Sequence, residues 1–368
     1  MTKDQLLQNE GEKADGQPAA SPLLSRAECN LMRGFAIIII IIDNFTHLLD
    51  GVFQDNEYFY KIRAVEGFLN NLAHPDGLLP YNFVSFYCPY GVMLFIFLSG
   101  YGLTLKYEQG NGKGVSCKDF IFSHYNKMFT MQLKGLALFL TFCLLYNSAV
   151  SLKPLSVLFQ ALLVGNLNPY QTIEPGPYWF FGMIMEMYVI YRLVLYRRSD
   201  MVAWVLVVAS LVVMCLFDPT GDRMSYLRIN CFLAILPFCM GVLAARHLDY
   251  KWLSLHKTMV CFGWFVLSFI LLTLVKFNFY SWLIMPIFVV ATAVTIVKMM
   301  SRSNLLSVIF GWLGGLSGVL FVVHPSVREI LIHRANESGD YAGMLFLYLF
   351  ITFGLSIMLK PAFSSKKK

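Results

Sequence analysis

The sequence predicts an all-α, polytopic integral membrane protein with about ten transmembrane helices and both termini in the cytoplasm. Of its 368 residues, 57% are hydrophobic and only 14% are charged, whereas a soluble globular protein carries about 25% charged residues. The mean hydropathy is +0.60. Apolar segments follow one another with short polar joins, which favours a single helical bundle over two or three soluble domains.

Ten apolar runs have the length, roughly 17–25 residues, that crosses a bilayer as a helix. They cover residues 31–49, 88–106, 128–148, 177–197, 201–217, 228–246, 257–275, 280–299, 305–327 and 342–360. A further apolar stretch near 154–165 is too short to span, so we expect a re-entrant or interfacial segment there. In the long loop 50–87, apolar residues at roughly helical spacing indicate either an amphipathic helix on the outer interface or a loop cap without a ligand role.

The two ends of the chain are polar. Residues 1–25 show no apolar periodicity and are predicted to form a disordered cytoplasmic tail, not a signal peptide. Residues 26–361 form the predicted transmembrane domain, and residues 362–368 form a basic C-terminal tail. Lysine and arginine are concentrated at the span ends on the side of the N-terminal tail, which places that side in the cytoplasm. The formal charge of +7 is therefore interpreted as a topology signal, and nucleic-acid binding is not expected.

The eight cysteines include no Cys-x-x-Cys pair, and most of them lie within apolar segments. Thiols in such surroundings behave as small hydrophobic groups. We therefore expect neither a metal site nor a disulfide framework.

The first predicted span carries the most unusual residues of the chain. Asp43, Asn44 and His47 interrupt an otherwise apolar run, and ionisable groups at membrane depth are costly and seldom kept without a task. Asp43 and His47 are four residues apart, so on a helix their side chains share a face, and the carboxylate could fix the imidazole tautomer and raise its basicity. The pair is a candidate general base. The alternative is that these side chains only satisfy partners on neighbouring helices.

Four segments of the chain carry recognisable motifs. They are AECNLMRGFA (27–36), GVMLFIFLSGYGLTLKY (91–107), PYWFFGMIMEMYVIYRL (177–193) and LSGVLFVVHPSV (316–327). In this order they resemble motifs of the membrane-bound acyltransferase family three. Together with the predicted spans, the resemblance covers about residues 26–360.

The resemblance implies an integral-membrane O-acyltransferase of a bacterial inner membrane, with acyl-CoA (acetyl-CoA by default) as co-substrate and no permanently bound cofactor. The donor would enter from the cytoplasm, with its phosphates near Arg33. Arg33, Lys127 and Arg192 could form a phosphate-binding mouth there, although topology signalling alone would explain Lys127 and Arg192, whereas Arg33 lies inside the predicted span. The acyl group would pass to a hydroxyl of a sugar or lipid-linked glycan at the outer side. His47 would act as general base, oriented by Asp43 or by a second carboxylate.

Two departures from the family pattern bear on catalysis. Counted from Arg33, the position at which the family usually carries its histidine is Asn44. His47 lies one helical turn onward on nearly the same face and could replace it; equally, the protein could have lost acyl transfer. The family's cytoplasmic pair of arginines is represented only by His124 and Lys127, which implies weaker gripping of an acyl-CoA phosphate because lysine lacks the bidentate fork of arginine.

Two further titratable residues are candidates for the site. Glu186 lies about nine residues, or roughly 13 Å, into a helix that starts at the outer face, where it could orient His47, bind the acceptor hydroxyl or only bond a neighbouring helix. His324 lies far along a helix that starts in the cytoplasm, at the predicted depth of His47, which makes it a second acid/base candidate. Because Pro325 follows directly, His324 could instead cap backbone groups freed by a kink.

Four neutral residues complete the candidate substrate-binding set. Asn44 and Ser99 lie within predicted spans, although Ser99 and the glycine after it, like the stretch 314–318, are also typical of close packing between helices. Tyr178 and Trp179 lie at the outer end of a helix, where they are typical of an interfacial aromatic belt. Stacking against a sugar is the alternative for these two aromatic residues.

A transporter or flippase of the same fold, for a lipid-linked or anionic solute, is the alternative function. Asp43 and His47 would then form a proton relay, and Asn44 at the vacant histidine position favours this interpretation. No inverted repeat is apparent, which counts against a transporter. Thermal stabilisation by CoA derivatives would favour the enzyme, whereas uptake that follows a pH gradient would favour the transporter.

Overall fold

The computed structural model describes residues 21–53, 60–110, 112, 114–146, 153–168 and 175–363. Over these ranges the regular elements are helices, with one isolated β-bridge between Pro22 and Asp249. Over the same ranges, eight helices are long and apolar enough to cross a membrane, and two shorter apolar helices accompany them. The prediction of an all-α polytopic membrane protein is confirmed. Residues 1–20 of the predicted N-terminal tail and 364–368 of the predicted C-terminal tail lie outside the described residues.

The helices are numbered here in chain order. They are α1 (Arg26–Thr46), α2 (Ile62–Ala73), α3 (Leu79–Tyr87), α4 (Gly91–Thr104), α5 (Cys117–Tyr146), α6 (Pro154–Ala161), α7 (Trp179–Ile190), α8 (Asp200–Cys215), α9 (Asp222–Arg228), α10 (Cys231–His247), α11 (Thr258–Leu274), α12 (Phe279–Trp282), α13 (Met285–Met300), α14 (Asn304–Ser338) and α15 (Tyr341–Phe363). A π-helical turn, Leu105–Gln109, continues α4, and another, Tyr191–Leu195, continues α7. Eight of the ten predicted spans overlap the eight long apolar helices, and the spans 201–217 and 280–299 overlap the two shorter ones, α8 and α13.

Helix α1 starts earlier than the sequence predicts because a capping box defines its N-terminus. Ser25 Oγ accepts a hydrogen bond from Glu28 N at 3.2 Å, and Glu28 Oε2 accepts one from Ser25 N at 2.8 Å; such caps contribute about 1 kcal/mol. Leu23 and Leu24 are buried, and Leu24 N donates to Tyr101 Oη at 2.8 Å. These residues, assigned to the tail by the sequence, are therefore packed against the bundle.

Helices α1 and α14 run side by side in the same direction. Near the start of α1, Asn30 Nδ2 donates to Gly311 O at 2.7 Å, and beyond its end Asn336 Nδ2 donates to Leu48 O at 3.1 Å. Because the contacts follow the same order along both helices, the two are parallel. The end of the bundle at which α1 begins is called the inner end below, and the opposite end the outer end.

Glycine lets these two helices approach closely. A Cβ atom added to Gly34 would lie 2.1 Å from Phe310 O, and one added to Gly314 would lie 2.0 Å from Asn30 O. A Cβ added to Gly100 would likewise lie 2.2 Å from a main-chain oxygen of α10. The prediction of close helix packing at Gly100 and at the stretch that contains Gly314 is confirmed, and it agrees with the use of small residues at membrane helix interfaces.

The loop 50–87 contains the expected helix. Helix α2 buries Ala64, Val65 and Phe68, which lie on one face, and leaves Leu69 and Leu72 exposed. The helical spacing read from the sequence is therefore present in the structure.

Helix α6 does not cross the bundle. It has eight residues, about 12 Å, and it is anchored from two sides. Gln132 Nε2 donates to Gln160 O at 2.5 Å, and Gln160 Nε2 donates to Tyr178 O at 3.1 Å. Since Gln160 is buried, this segment enters the bundle and covers the start of α7, as expected for a re-entrant segment.

Candidate functional site

His47 directly follows the last residue of α1 and folds its imidazole back onto the preceding turn. His47 Nδ1 lies 2.7 Å from the carbonyl oxygen of Asp43. Because a carbonyl oxygen only accepts, Nδ1 carries the proton of this hydrogen bond, and Nε2 of the neutral ring keeps its lone pair. Asp43 Oδ2 lies 3.6 Å from the same Nδ1, and the side chains of His47 and Asp43 are 23% and 7% exposed. The imidazole is thus accessible with the carboxylate behind it, and the pair shares one face as predicted.

Asn44, which the count from Arg33 places where the resembled family usually carries a histidine, is bonded to α14. Arg328 Nη1 donates to Asn44 Oδ1 at 3.1 Å, and Asn44 Nδ2 donates to Ile40 O at 2.9 Å. Sequence reasoning missed Arg328 because the predicted span ended at residue 327, whereas α14 continues to Ser338. Its position four residues after His324 is the signal that could have found it.

Asn44 accepts a hydrogen bond from only one nitrogen, Nη1, of the Arg328 guanidinium. Arg328 Nε is buried and has no hydrogen-bond partner. Tyr348 of α15 is buried nearby, within the electrostatic reach of both Arg328 and Asp43, and its Oη donates to Ile41 O at 3.3 Å. A cation with a spare donor at this depth can bind an anionic group or stabilise negative charge that develops beside it.

His324 is fully buried, and its contacts are local. His324 Nδ1 lies 3.1 Å from Leu320 O, and the imidazole is also close to the carbonyl of Phe321, which has no N–H partner at Pro325, while Nε2 is buried without a hydrogen-bond partner. This is the capping geometry expected beside a proline.

The predicted equal depth of His324 and His47 is wrong. Asn30 is bonded to Gly311 and Asn44 to Arg328, and these two pairings place His324 about four to seven residues, or roughly 6–10 Å, closer to the inner end than His47. The depth estimate counted residues from the start of α14. It was wrong because α14 meets Asn30 of α1 only at Gly311, so the first residues of α14 extend beyond the level of Asn30 toward the inner end.

Basic side chains from three elements converge toward the inner end. The charges of Arg33 and Lys106 act on Lys127, and those of Lys106 and Lys127 act on His124. Arg33 is exposed although it lies within a spanning helix. The structure therefore places the predicted Arg33 and Lys127 within electrostatic range of each other and adds Lys106, which the sequence did not single out. Such a cluster can hold the phosphates of a nucleotide-containing donor.

Arg192, the third predicted phosphate ligand, has a local structural task. Arg192 Nη2 donates to Val115 O at 2.5 Å, and its guanidinium lies 4.1 Å from the ring centroid of Tyr196. These contacts fasten the segment before α5 to the π turn after α7.

Both carboxylate oxygens of Glu186 are engaged away from His47. Asn166 Nδ2 donates to Glu186 Oε1 at 2.5 Å, and Cys231 N, at the start of α10, donates to Oε2 at 2.9 Å. Asn166 Nδ2 also lies 2.7 Å from Asn230 Oδ1. Glu186 thus joins the turn after α6 to the N-terminus of α10, which matches the proposed bond to a neighbouring helix.

The remaining substrate candidates lie inside the bundle. Ser99 Oγ donates to Phe95 O at 2.8 Å, beside the hydroxyl of Tyr188. Tyr178 Oη donates to Val322 O at 2.9 Å, and both Tyr178 and Trp179 are buried. The interpretation of these two aromatics as an interfacial belt is wrong, because the segment 153–168 covers this helix end. Their role in binding a sugar stays a prediction.

Among the described residues there is no group of three or more His, Cys, Asp or Glu side chains that could hold a metal ion.

A family model described as an acyltransferase domain matches residues 26–360 of the chain. The match runs from the first residue of α1, which carries Asp43 and His47, into α15. No curated protein and no solved structure matches the chain. The chain therefore belongs to the acyltransferase-3 family and is a multi-pass membrane acyltransferase that transfers acyl groups other than amino-acyl groups.

Proposed function

We propose that this protein transfers an acyl group, acetyl by default, from acyl-CoA to a hydroxyl of a sugar or lipid-linked glycan, with His47 as general base. The observation that carries the proposal is the orientation of His47. Its Nδ1–H is committed to the carbonyl of Asp43 at 2.7 Å, so Nε2 is the basic nitrogen of this partly exposed ring. A base within hydrogen-bond reach of the hydroxyl proton is what acyl transfer to an alcohol requires.

The proposed reaction needs no covalent enzyme intermediate. His47 Nε2 removes the acceptor hydroxyl proton as the oxygen attacks the thioester carbonyl carbon. The tetrahedral intermediate collapses by breaking the carbon–sulfur bond, and the imidazolium returns the proton to the departing CoA thiolate. The carboxylate of Asp43, 3.6 Å from Nδ1, stabilises the transient imidazolium.

The donor would be held at the inner end. The cluster of Arg33, Lys106 and Lys127 supplies three cations for the phosphates of CoA. Along α1, His47 lies 14 residues beyond Arg33, or about 21 Å, so the thioester would reach the base through an extended pantetheine arm. Donor and acceptor thus approach His47 from opposite ends of the bundle.

The test is release of free CoA from acetyl-CoA by the purified protein in nanodiscs, with cell-envelope glycan as acceptor. His47→Ala should lower the turnover about 10²–10⁴-fold. His333→Ala is the matched control, because His333 is exposed near the outer end of α14 and has no part in the reaction. Full turnover in His47→Ala would exclude His47 as the base.

The bond between Asn44 and Arg328 favours one second candidate, a protein of the same fold that has lost acyl transfer and moves a solute. In that case the wild type would release no CoA from acetyl-CoA, and Asn44→His would gain this turnover. Solute uptake driven by a pH gradient would depend on Asp43 and His47. Turnover in wild type that disappears in His47→Ala would reject this candidate.

A further inference from the structure

A polar cavity of about 740 Å³ lies at the inner end, between the start of α1, the end of α13 and the start of α14. Its lining includes Glu28, Lys298, His256 and Arg302. Lys298 Nζ donates to both oxygens of Glu28, at 2.8 and 3.0 Å, so these two charges cancel. Arg302 donates from Nη2 to Leu255 O at 2.8 Å and keeps its charge. The cavity is therefore net positive.

Two helix N-termini add to this positive potential. The cavity is lined by Ser25, the N-cap of α1, and by Ser307 in the first turns of α14. The N-terminal ends of helices carry partial positive charge. Lys251 and Lys257, both exposed, flank the segment that closes the cavity. The surroundings favour an anion.

A second cavity, an apolar groove of about 520 Å³, runs between α8, α10, α11 and α13. Its lining extends from Leu236 within α10 to Leu248 just after that helix, a rise of about 18 Å. This distance is slightly more than half of a hydrocarbon core of about 30 Å. The groove therefore reaches from the inner surface to about the middle of the bilayer, the depth of one leaflet.

The two cavities adjoin. Leu255 lines both of them, and the carbonyl oxygen of Leu255 is the group that Arg302 holds. The positively charged polar cavity, at the level of the lipid headgroups, thus lies beside the apolar groove, at the level of the acyl chains. An anionic lipid has a charged headgroup directly beside its acyl chains, which matches this arrangement.

We propose that the polar cavity and the apolar groove together bind one anionic glycerophospholipid of the inner leaflet, with its phosphate near Arg302 and one acyl chain in the groove. A soluble anion would leave the groove unused, and a neutral lipid would leave the charge of Arg302 unmatched. The site is separate from acyl transfer, because neither cavity is lined by His47, Arg33 or Lys127.

Tryptophan fluorescence provides the measurement. Three of the six tryptophans of the chain, Trp204, Trp252 and Trp264, line the groove. The full-length protein is placed in phosphatidylcholine nanodiscs that contain a small fraction of phosphatidylglycerol with brominated chains, which quench nearby indoles. Brominated phosphatidylglycerol should quench more strongly than the same fraction of brominated phosphatidylcholine.

Two variants locate the lipid. Arg302→Gln should reduce the preference for phosphatidylglycerol about fivefold, since one cation near the membrane surface contributes about that factor; Lys118→Gln, at an exposed lysine at the start of α5, should not. Ala291→Phe, which fills the groove, should reduce the quenching by phosphatidylglycerol. Its control is Ala137→Phe on the exposed face of α5, which should leave the quenching unchanged.

Equal quenching of the wild type by the two brominated lipids would overturn the proposal and show that bulk lipid solvates the groove. Unchanged quenching in Ala291→Phe would place the bound lipid elsewhere. If inorganic phosphate in detergent stabilised the protein as much as phosphatidylglycerol does, and Arg302→Gln removed that effect, the ligand would be a soluble anion and the lipid assignment would fall.

Discussion

Arg328 Nη1 donates to Asn44 Oδ1 across 3.1 Å, so the side chain at the vacant histidine position forms a hydrogen bond between the parallel helices α1 and α14. A histidine at residue 44 would compete for the same space and the same donor. The proposed use of His47 as the base leaves this bond between Asn44 and Arg328 in place.

Replacing Asn44 by alanine should destabilise the bundle. Arg328 would lose its partner while its Nε is already buried without one. Hydrogen bonds to charged groups contribute about 1.5–3 kcal/mol in soluble proteins and less in membranes, so we expect a loss of about 1–2 kcal/mol, measured by thermal unfolding in detergent. Asn44→Asp keeps the acceptor and makes the bond charge-assisted; it should be at least as stable as wild type, and an equal loss in both variants would argue against the bond.

Asp43→Asn should lower acyl transfer only moderately. The imidazole tautomer is set by the main-chain carbonyl of residue 43, which the substitution retains, so only the charge 3.6 Å from Nδ1 is lost. For a partly exposed ion pair that loss corresponds to about a tenfold decrease in turnover, smaller than the effect of His47→Ala. A decrease as large as that of His47→Ala would mean that the carboxylate of Asp43, and not its main-chain carbonyl, sets the imidazole tautomer.

Neutralising the basic cluster at the inner end should weaken donor binding. Arg33→Gln and Lys127→Gln should each raise the KM for acetyl-CoA about tenfold, because each removes a charge-assisted contact to phosphate. Arg192→Gln is the matched comparison. Its guanidinium holds the carbonyl of Val115, so its loss should lower the unfolding temperature and leave KM close to wild type. A rise in KM for Arg192→Gln alone would indicate that the donor binds at the π turn after α7 instead.

Glu186→Gln separates the catalytic from the structural role of this carboxylate. Both oxygens accept from N–H groups, of Asn166 and of Cys231. A glutamine would place its own NH₂ against one of these donors, which should destabilise the protein by about 1–3 kcal/mol. Turnover per folded molecule, measured below the unfolding temperature, should stay near wild type. A variant of normal stability without turnover would restore Glu186 as a catalytic residue.

The sequence was sufficient to place the helices because the hydrophobic pattern alone determines which segments can span a bilayer. It was also sufficient to place Asp43 and His47 on one face, since that follows from helical spacing. It was not sufficient for contacts between helices. The depth of His324 and the partners of Arg328 and Glu186 depend on how far α14 overhangs α1 and on where α10 begins. These offsets come from packing, and no local pattern reports them.

The close approach of α1 and α14 provides the sharpest test of that packing. Gly314→Ala would place a Cβ 2.0 Å from the carbonyl oxygen of Asn30, and Gly34→Ala would place one 2.1 Å from that of Phe310. Because the obstructing atoms are main-chain atoms, the helices must separate, and overpacking of this kind costs about 1–3 kcal/mol. Gly315→Ala is the matched control, since nothing lies within 4 Å of its added Cβ, and it should be neutral or slightly stabilising.

The separation should also reach the candidate site. Helices α1 and α14 carry His47 and Arg328 on the same parallel pair, so a shift at Gly314 is transmitted to the bond between Arg328 and Asn44. We therefore expect Gly314→Ala to lower both the unfolding temperature and the turnover with acetyl-CoA, and Gly315→Ala to change neither. If Gly314→Ala and Gly315→Ala behaved alike in thermal unfolding, the two helices would be farther apart than the structure places them, and the bond to Asn44 would lose its geometric basis.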